Sequence, residues 1–456
     1  MLSTHRVLLA VLLVGNAVAF AGVDPVTRLA TAVVVLVLFI DLRRIPRMPA
    51  SVRAAAVGFL VLVVVQLVPL PEWVRLIFQP GYAEVMADGW APLSLSPWST
   101  VQVTASMVVF VGIATTAGRM ASTRSGLPTL LGTIAVTCGV IAVLGLAGES
   151  GAPEKVLLIR ANTAGGGVYG PFVNSNHFAA AIELSLPAAL VLLAAAVRSL
   201  SGSGSTRQRA AVVGLTSVVV VMVGIASVLR SSSRGGVLFL AAALVMTAPL
   251  WLRPSQARRW PWLVVVASIL AWDRLPVLQD GFSELLMVEG VEGNTRWDFW
   301  RATLDSWARS PIVGSGLGSY RFVVGLDKPA TGAAILEQAH NDWLEWLSTA
   351  GIAGMAILVL VLVGLLPAFW PSRVRSLRYE LRFPLAGAAV ALTATALHEV
   401  VGFGLQTPIN RYLLAAWLGL VWGVWIRERR RPPSPDHGEQ PADRGLALDI
   451  LDVDGG

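Results

Sequence analysis

The strongest constraint on this chain is a series of apolar runs, each long enough to cross a lipid bilayer. Residues 210–229 and 351–369 contain no ionisable side chain at all. A membrane-spanning helix needs about 20 mostly apolar residues. Only 14% of residues are charged, against about 25% in soluble domains. That excludes an ordinary soluble enzyme, a disordered chain and a collagen. Twelve spans are read, at roughly 6–22, 26–41, 53–69, 101–118, 127–147, 176–197, 210–229, 235–252, 260–276, 341–369, 383–404 and 410–426. The expected fold class is all-α: a polytopic membrane protein with about 12 transmembrane helices and a large helical outer loop before helix 10. The second span is short, and the eleventh contains His398 and Glu399, which read as structural. The first span admits another reading, because His5 and Arg6 precede an apolar run ending in Ala17-Val18-Ala19, as in a signal peptide. A retained span is preferred.

Sidedness follows from the arginines. Lysine occurs only at Lys155 and Lys328. With a cytoplasmic N-terminus, the inner loops 42–52, 119–126, 198–209, 253–259 and 370–382 and the C-terminal tail gather most of the 35 basic residues and a minority of the 28 acidic ones, as the positive-inside rule expects. The net charge of +7 thus has a membrane origin, and nucleic acid is not expected as a partner. Cys138, the one cysteine, lies in an apolar run, so no intrachain disulfide is available. Residues 1–426 read as one transmembrane domain with outer loops at about 70–100, 148–175 and 277–340, and 427–456 as a disordered cytoplasmic tail. In loop 70–100, Trp73, Trp90 and Trp98 either shape an acceptor groove or anchor at the interface.

Polar residues at the outer ends of three spans carry the chemistry. Ser231-Ser232-Ser233-Arg234-Gly235-Gly236 opens span 8 and places Arg230 and Arg234 in a very short outer hairpin, where the arginine bias disfavours them. A helix N-terminus carries unpaired N–H groups and partial positive charge, and an arginine there adds a fork matched to phosphate. The plain alternative is an arginine reaching the headgroups beside serine caps. Gly170-Pro171-Phe172-Val173-Asn174-Ser175-Asn176-His177-Phe178 opens span 6. Asn176 and Glu183 share a helix face, which puts Glu183 two turns into the membrane, where a carboxylate marks a site by default. It can equally bond to neighbouring helices, and His177 reads most simply as a structural hydrogen-bonder. Gln338-Ala339-His340-Asn341-Asp342-Trp343-Leu344-Glu345-Trp346 opens span 10. His340 there is expected to stay neutral near the positive helix end, with Asp342 and Glu345 either favouring the dipole or orienting a histidine. In the longest loop, Thr295 reads as the cap of a helix whose stripe of Trp297, Trp300, Leu304 and Trp307 lies flat on the outer face. Ser310 to Gly318 follows as a turn-forming stretch.

Spans 6, 8 and 10 all run downward from the outer face. As neighbours they build one anion site, with Arg234, Arg296 and Arg160 around it and His340 at its rim. That suits a lipid-linked pyrophosphate donor. Arginines stabilise charge on the departing diphosphate, and a histidine removes the proton of the attacking hydroxyl.

The motifs at 170–178, 231–236, 294–300, 310–320 and 340–354, in this order and topology, resemble those of the O-antigen ligase and O-antigen polymerase family of bacterial membrane glycosyltransferases. The resemblance covers roughly residues 160–355, together with the span count and the large outer loop. It implies transfer of a glycan from undecaprenyl pyrophosphate to an acceptor hydroxyl, with inversion, at the periplasmic face of the inner membrane and with no metal or other cofactor. It implies His340 as the catalytic base and Arg234, Arg296 and, less closely matched, Arg160 on the pyrophosphate. Asn176, His177, Glu183, Asn341 and Asp342 are candidates for lining the site. The partners implied are the lipid-linked glycan, a glycan or lipid A–core acceptor, and membrane lipid. Ligase, chain polymerase and protein glycosyltransferase differ mainly in acceptor, which no feature of the sequence fixes. A transporter or flippase of lipid-linked glycan is the competing class, and twelve spans suit it too. No internal repeat of the kind common in such proteins stands out.

Overall fold

The structure, a computed structural model, describes residues 2–39, 48–85, 88–149, 155–157, 160–161, 169–231, 233–251, 296–324 and 337–429. Eight helices among them are long and apolar enough to cross a membrane: α3 (Ala50–Leu67), α5 (Pro97–Ala121), α6 (Gly126–Glu149), α7 (Ser175–Ser199), α8 (Gly204–Arg230), α12 (Asp342–Leu365), α14 (Tyr379–His398) and α15 (Pro408–Arg429). Three shorter apolar helices, α1 (Leu2–Val18), α2 (Pro25–Phe39) and α9 (Arg234–Trp251), stand at three more of the expected spans. Span 260–276 and most of the 427–456 tail lie outside the described residues. The remaining helices are short or lie in loops: α4 (Glu72–Phe78), α10 (Arg296–Arg309), α11 (Tyr320–Val323) and α13 (Pro371–Ser376). The fold is all-α, with one hairpin of two-residue strands, Lys155–Val156 and Arg160–Ala161, among the described residues.

Helix α7 is the buried axis, packed by α6, α8, α14 and α15. Its Leu184 carbonyl accepts a hydrogen bond from Trp417 Nε1, close to Pro187, which cannot donate to the helical ladder. Helices α5 and α15 approach each other through Gly118, Gly419 and Gly423, where a side chain would meet the facing backbone. Apolar burial does not drive helices together in lipid, and close backbone approach supplies dispersion instead. Leu215, Met222, Ile352 and Val363 stand exposed on α8 and α12, as lipid-facing positions do.

One span is shorter than expected. The eleventh was expected to run to residue 404, but α14 stops at His398. Glu399 turns back to accept the Gly404 N–H at 2.8 Å, and residues 399–407 form a turn instead of the last helical turn.

A second departure positions the outer face. Helix α12 is broken at Gly351, which has φ 64° and ψ −166°. Backbone polar groups freed at membrane depth must be satisfied by protein, and the stretch from Ser310 to Gly318 does this. Ile352 and Ala353 donate to the carbonyls of Pro311 and Ile312, while Ser315 and Gly316 donate to those of Ser348 and Thr349. Gln66 of α3 clasps the junction, donating to Val313 and Thr349 carbonyls and accepting from Leu317 N–H. The two chains touch backbone to backbone at Gly314 (φ 73°) and Gly351. We expect Gly351→Ala to cost about 3 kcal/mol, combining a left-handed non-glycine residue with overpacking. Thermal unfolding in detergent measures this, and an unchanged midpoint would refute the close-packed junction.

Candidate functional site

Three helix N-termini meet around the 399–407 turn. Helix α7 is capped by Asn174, whose side chain accepts Asn176 N–H at 2.8 Å. Asn176 Oδ1 in turn accepts Ser233 Oγ–H at 2.7 Å, and Ser233 Oγ accepts Gly236 N–H in the first turn of α9. Helix α12 is capped by buried Asn341, which accepts Leu344 N–H at 3.0 Å. The turn ties these ends together. Asp342 N–H lies 3.0 Å from Glu399 O and 3.1 Å from Gly402 O. His177 Nδ1 meets Thr407 Oγ1 at 3.0 Å, and Asn410 Nδ2 reaches the His177 carbonyl. Gly235 packs against the His398 ring. Each helix N-terminus brings partial positive charge to the same place.

Arg234 is half-buried as the first residue of α9. Arg296 is the first residue of α10 and lies on its buried face with Phe299, Thr303 and Ser306, which packs on α12. Trp297 and Leu304 point outward, so part of the expected apolar stripe faces away from the protein. Thr295, its expected cap, lies outside the described residues.

His340 stands immediately before α12 with φ 50°. Its ring is stacked on Phe299 at 5.5 Å and meets Phe403 edge-on at 4.6 Å. Burial, reinforced by the Arg296 charge, lowers its imidazole from the ordinary value to about 4. It is therefore neutral at physiological pH, with burial the larger cause and the Arg296 charge the second. Neither nearby acid orients it. Asp342 Oδ2 accepts Leu405 N–H at 3.1 Å, and Glu345 accepts from Gln406 Nε2 and Ala339 N–H. Two aromatic rings hold the imidazole instead.

His398 does pair with a carboxylate: its Nδ1 lies 2.9 Å from Glu183 Oε1, both buried. Glu183 sits about 12 Å along α7 from its start, on the Asn176 face. Beside this pair, Glu399 is raised well above the ordinary carboxyl value by burial and then by Asp342. For Arg160 the structure describes the backbone, paired with Val156, and not the side chain. Trp73, Trp90 and Trp98 are exposed.

Sequence reasoning missed Phe403, Gln66 and the pairing of His398 with Glu183. Gln66 had a signal, a lone amide inside an apolar span. Phe403 had none, because only the turn brings it between His340 and His177.

Residues 217–359 match the family model described as O-antigen ligase. No curated protein gives a match to the chain. The matched segment runs from within α8 into α12 and contains Arg234, Arg296 and His340, whereas Asn176, Glu183 and His398 lie outside it. Over residues 217–359 the chain is thus similar to the O-antigen ligase family.

Proposed function

We propose that the protein transfers a glycan from undecaprenyl pyrophosphate to an acceptor hydroxyl at the periplasmic face of the inner membrane, with both termini cytoplasmic. The observation that carries this reading is the neutral His340 held between two phenyl rings, beside Arg296, at a junction of three helix N-termini. In the proposed step the acceptor O–H gives its proton to the imidazole as its oxygen bonds to the anomeric carbon. The bond from that carbon to the diphosphate oxygen breaks, and the electron pair leaves with undecaprenyl pyrophosphate. A single displacement of this kind inverts the anomeric centre. Arg234 and Arg296 stabilise the charge gathering on the diphosphate, which leaves readily and needs no general acid.

The test is product analysis in liposomes with labelled undecaprenyl-pyrophosphate oligosaccharide, lipid A–core as acceptor and His340→Ala as control. A single shift of label onto lipid A–core identifies a ligase, and a ladder of lengthened lipid-linked glycan a polymerase. Label remaining on the unlengthened donor refutes the reading, and label crossing a sealed bilayer in its place supports a transporter.

The pH profile is a second check. As a base, His340 must be unprotonated, so activity is present above its pKa and lost as pH falls through it. For kcat/KM, which reports the free enzyme, the acid limb is expected near pH 4. Bound diphosphate offsets the Arg296 charge, so the limb in kcat lies at higher pH. Arg296→Gln should raise the kcat/KM limb too. Limbs that coincide and ignore this substitution would refute the coupling.

A further inference from the structure

A groove of about 240 Å³ opens beside this site, between the outer turn joining α1 to α2, the turn before α7, and the 403–407 turn. Drug-sized ligands occupy roughly 300–1,000 Å³, so this groove holds about one ring-sized group. Phe20, Phe172 and Phe403 supply apolar walls, while His177, Gln406 and Thr407 supply a hydrogen-bonding edge. His177 is 9% exposed, and its Nε2 has no hydrogen-bond partner among the described residues. Arg28 stands at the mouth and is exposed.

The chemistry of those walls is that of a sugar. A pyranose presents apolar C–H faces, which suit phenyl rings, and a rim of hydroxyls, which suit imidazole, amide and hydroxyl groups. The location then decides which sugar. Phe403 meets His177 edge-on at 4.4 Å and His340 at 4.6 Å. One phenyl ring is thus a shared wall between the groove and the imidazole, on the turn that also ties down Asp342.

We propose that this groove is the acceptor subsite, seating a terminal sugar ring of the acceptor glycan so that its hydroxyl reaches past Phe403 to His340. Arg28 favours an acidic substituent, carboxylate or phosphate, on that glycan. The assignment rests on the glycosyl-transfer reading, so its test needs one readout that does not depend on turnover.

Arg28→Ala and Val173→Trp both change exposed side chains, and the second fills the groove from its rim. In the liposome assay each should raise KM for the acceptor about tenfold, the loss of one good contact, and leave KM for the donor unchanged. In parallel, saturation-transfer NMR would use oligosaccharide released by mild acid from the host cell's own envelope glycolipids. The wild-type protein should transfer saturation to one terminal ring, and Val173→Trp should abolish it. Wild-type acceptor KM in both variants, with His340→Ala inactive, would overturn the groove assignment and leave the transfer reading standing. Binding that Val173→Trp abolishes, in a protein that transfers nothing, would keep the sugar site and overturn the transfer reading. No saturation transfer from the wild-type protein to the oligosaccharide overturns the assignment outright.

Discussion

Replacing His340 by alanine is expected to lower the rate of glycan transfer by about 10²–10⁴-fold, the usual worth of a positioned general base. The loss should fall on kcat, because the imidazole acts on a proton that moves only in the transition state. A backbone effect has to be separated from a chemical one, since His340 sits at φ 50°. Asparagine tolerates that conformation better than alanine does and supplies no useful base. His340→Asn should therefore match His340→Ala in activity while unfolding at a temperature closer to wild type. Near-wild-type transfer by either variant would remove the histidine from the chemistry. Phe299 and Phe403 hold the ring by stacking and edge contact, and this lets it turn towards an incoming hydroxyl.

Replacing Arg296 by alanine should cost about 10²–10³-fold in kcat, the range for removing one preorganised donor to developing charge. Arg296→Lys should recover only part of this loss, because a point charge does not reproduce the guanidinium fork. The position explains the size of the expected effect. Arg296 is 8% exposed, at the start of α10, on a face shared with Phe299, so its charge acts where water screens it little. Arg234 is less buried and should show a smaller loss in the same assay. Equal activity of Arg296→Ala and wild type across donor concentrations would remove the arginine from the pyrophosphate site.

Much of this was legible in the sequence. An unbroken apolar run in a chain with little charge has few solutions, and all of the expected spans within the described residues carry helix. Asn341, a candidate for lining the site, caps α12, as Asn174 caps α7. The i, i+7 relation of Asn176 and Glu183 followed from helical geometry. Residues whose role depends on a non-local partner were not legible. His398 and Glu399 read as structural in span 11, yet α14 ends at His398, and its imidazole finds Glu183 from α7. Nothing in the local sequence sets Gly351 apart within its apolar span. Only the loop at 310–318, filling the break in α12, gives its conformation a reason.

Sequence alone thus determined that this chain is a helical membrane protein with arginines and a histidine at the mouths of particular spans. Hydrophobicity and helical period are local properties, and lipid leaves an apolar segment little other choice. Tertiary structure decided which mouths meet, which carboxylate holds which histidine, and that a phenyl ring on the 399–407 turn stands between His340 and the groove beyond it. Those outcomes come from packing and hydrogen bonds between residues far apart in the chain, for which no local pattern carries a signal.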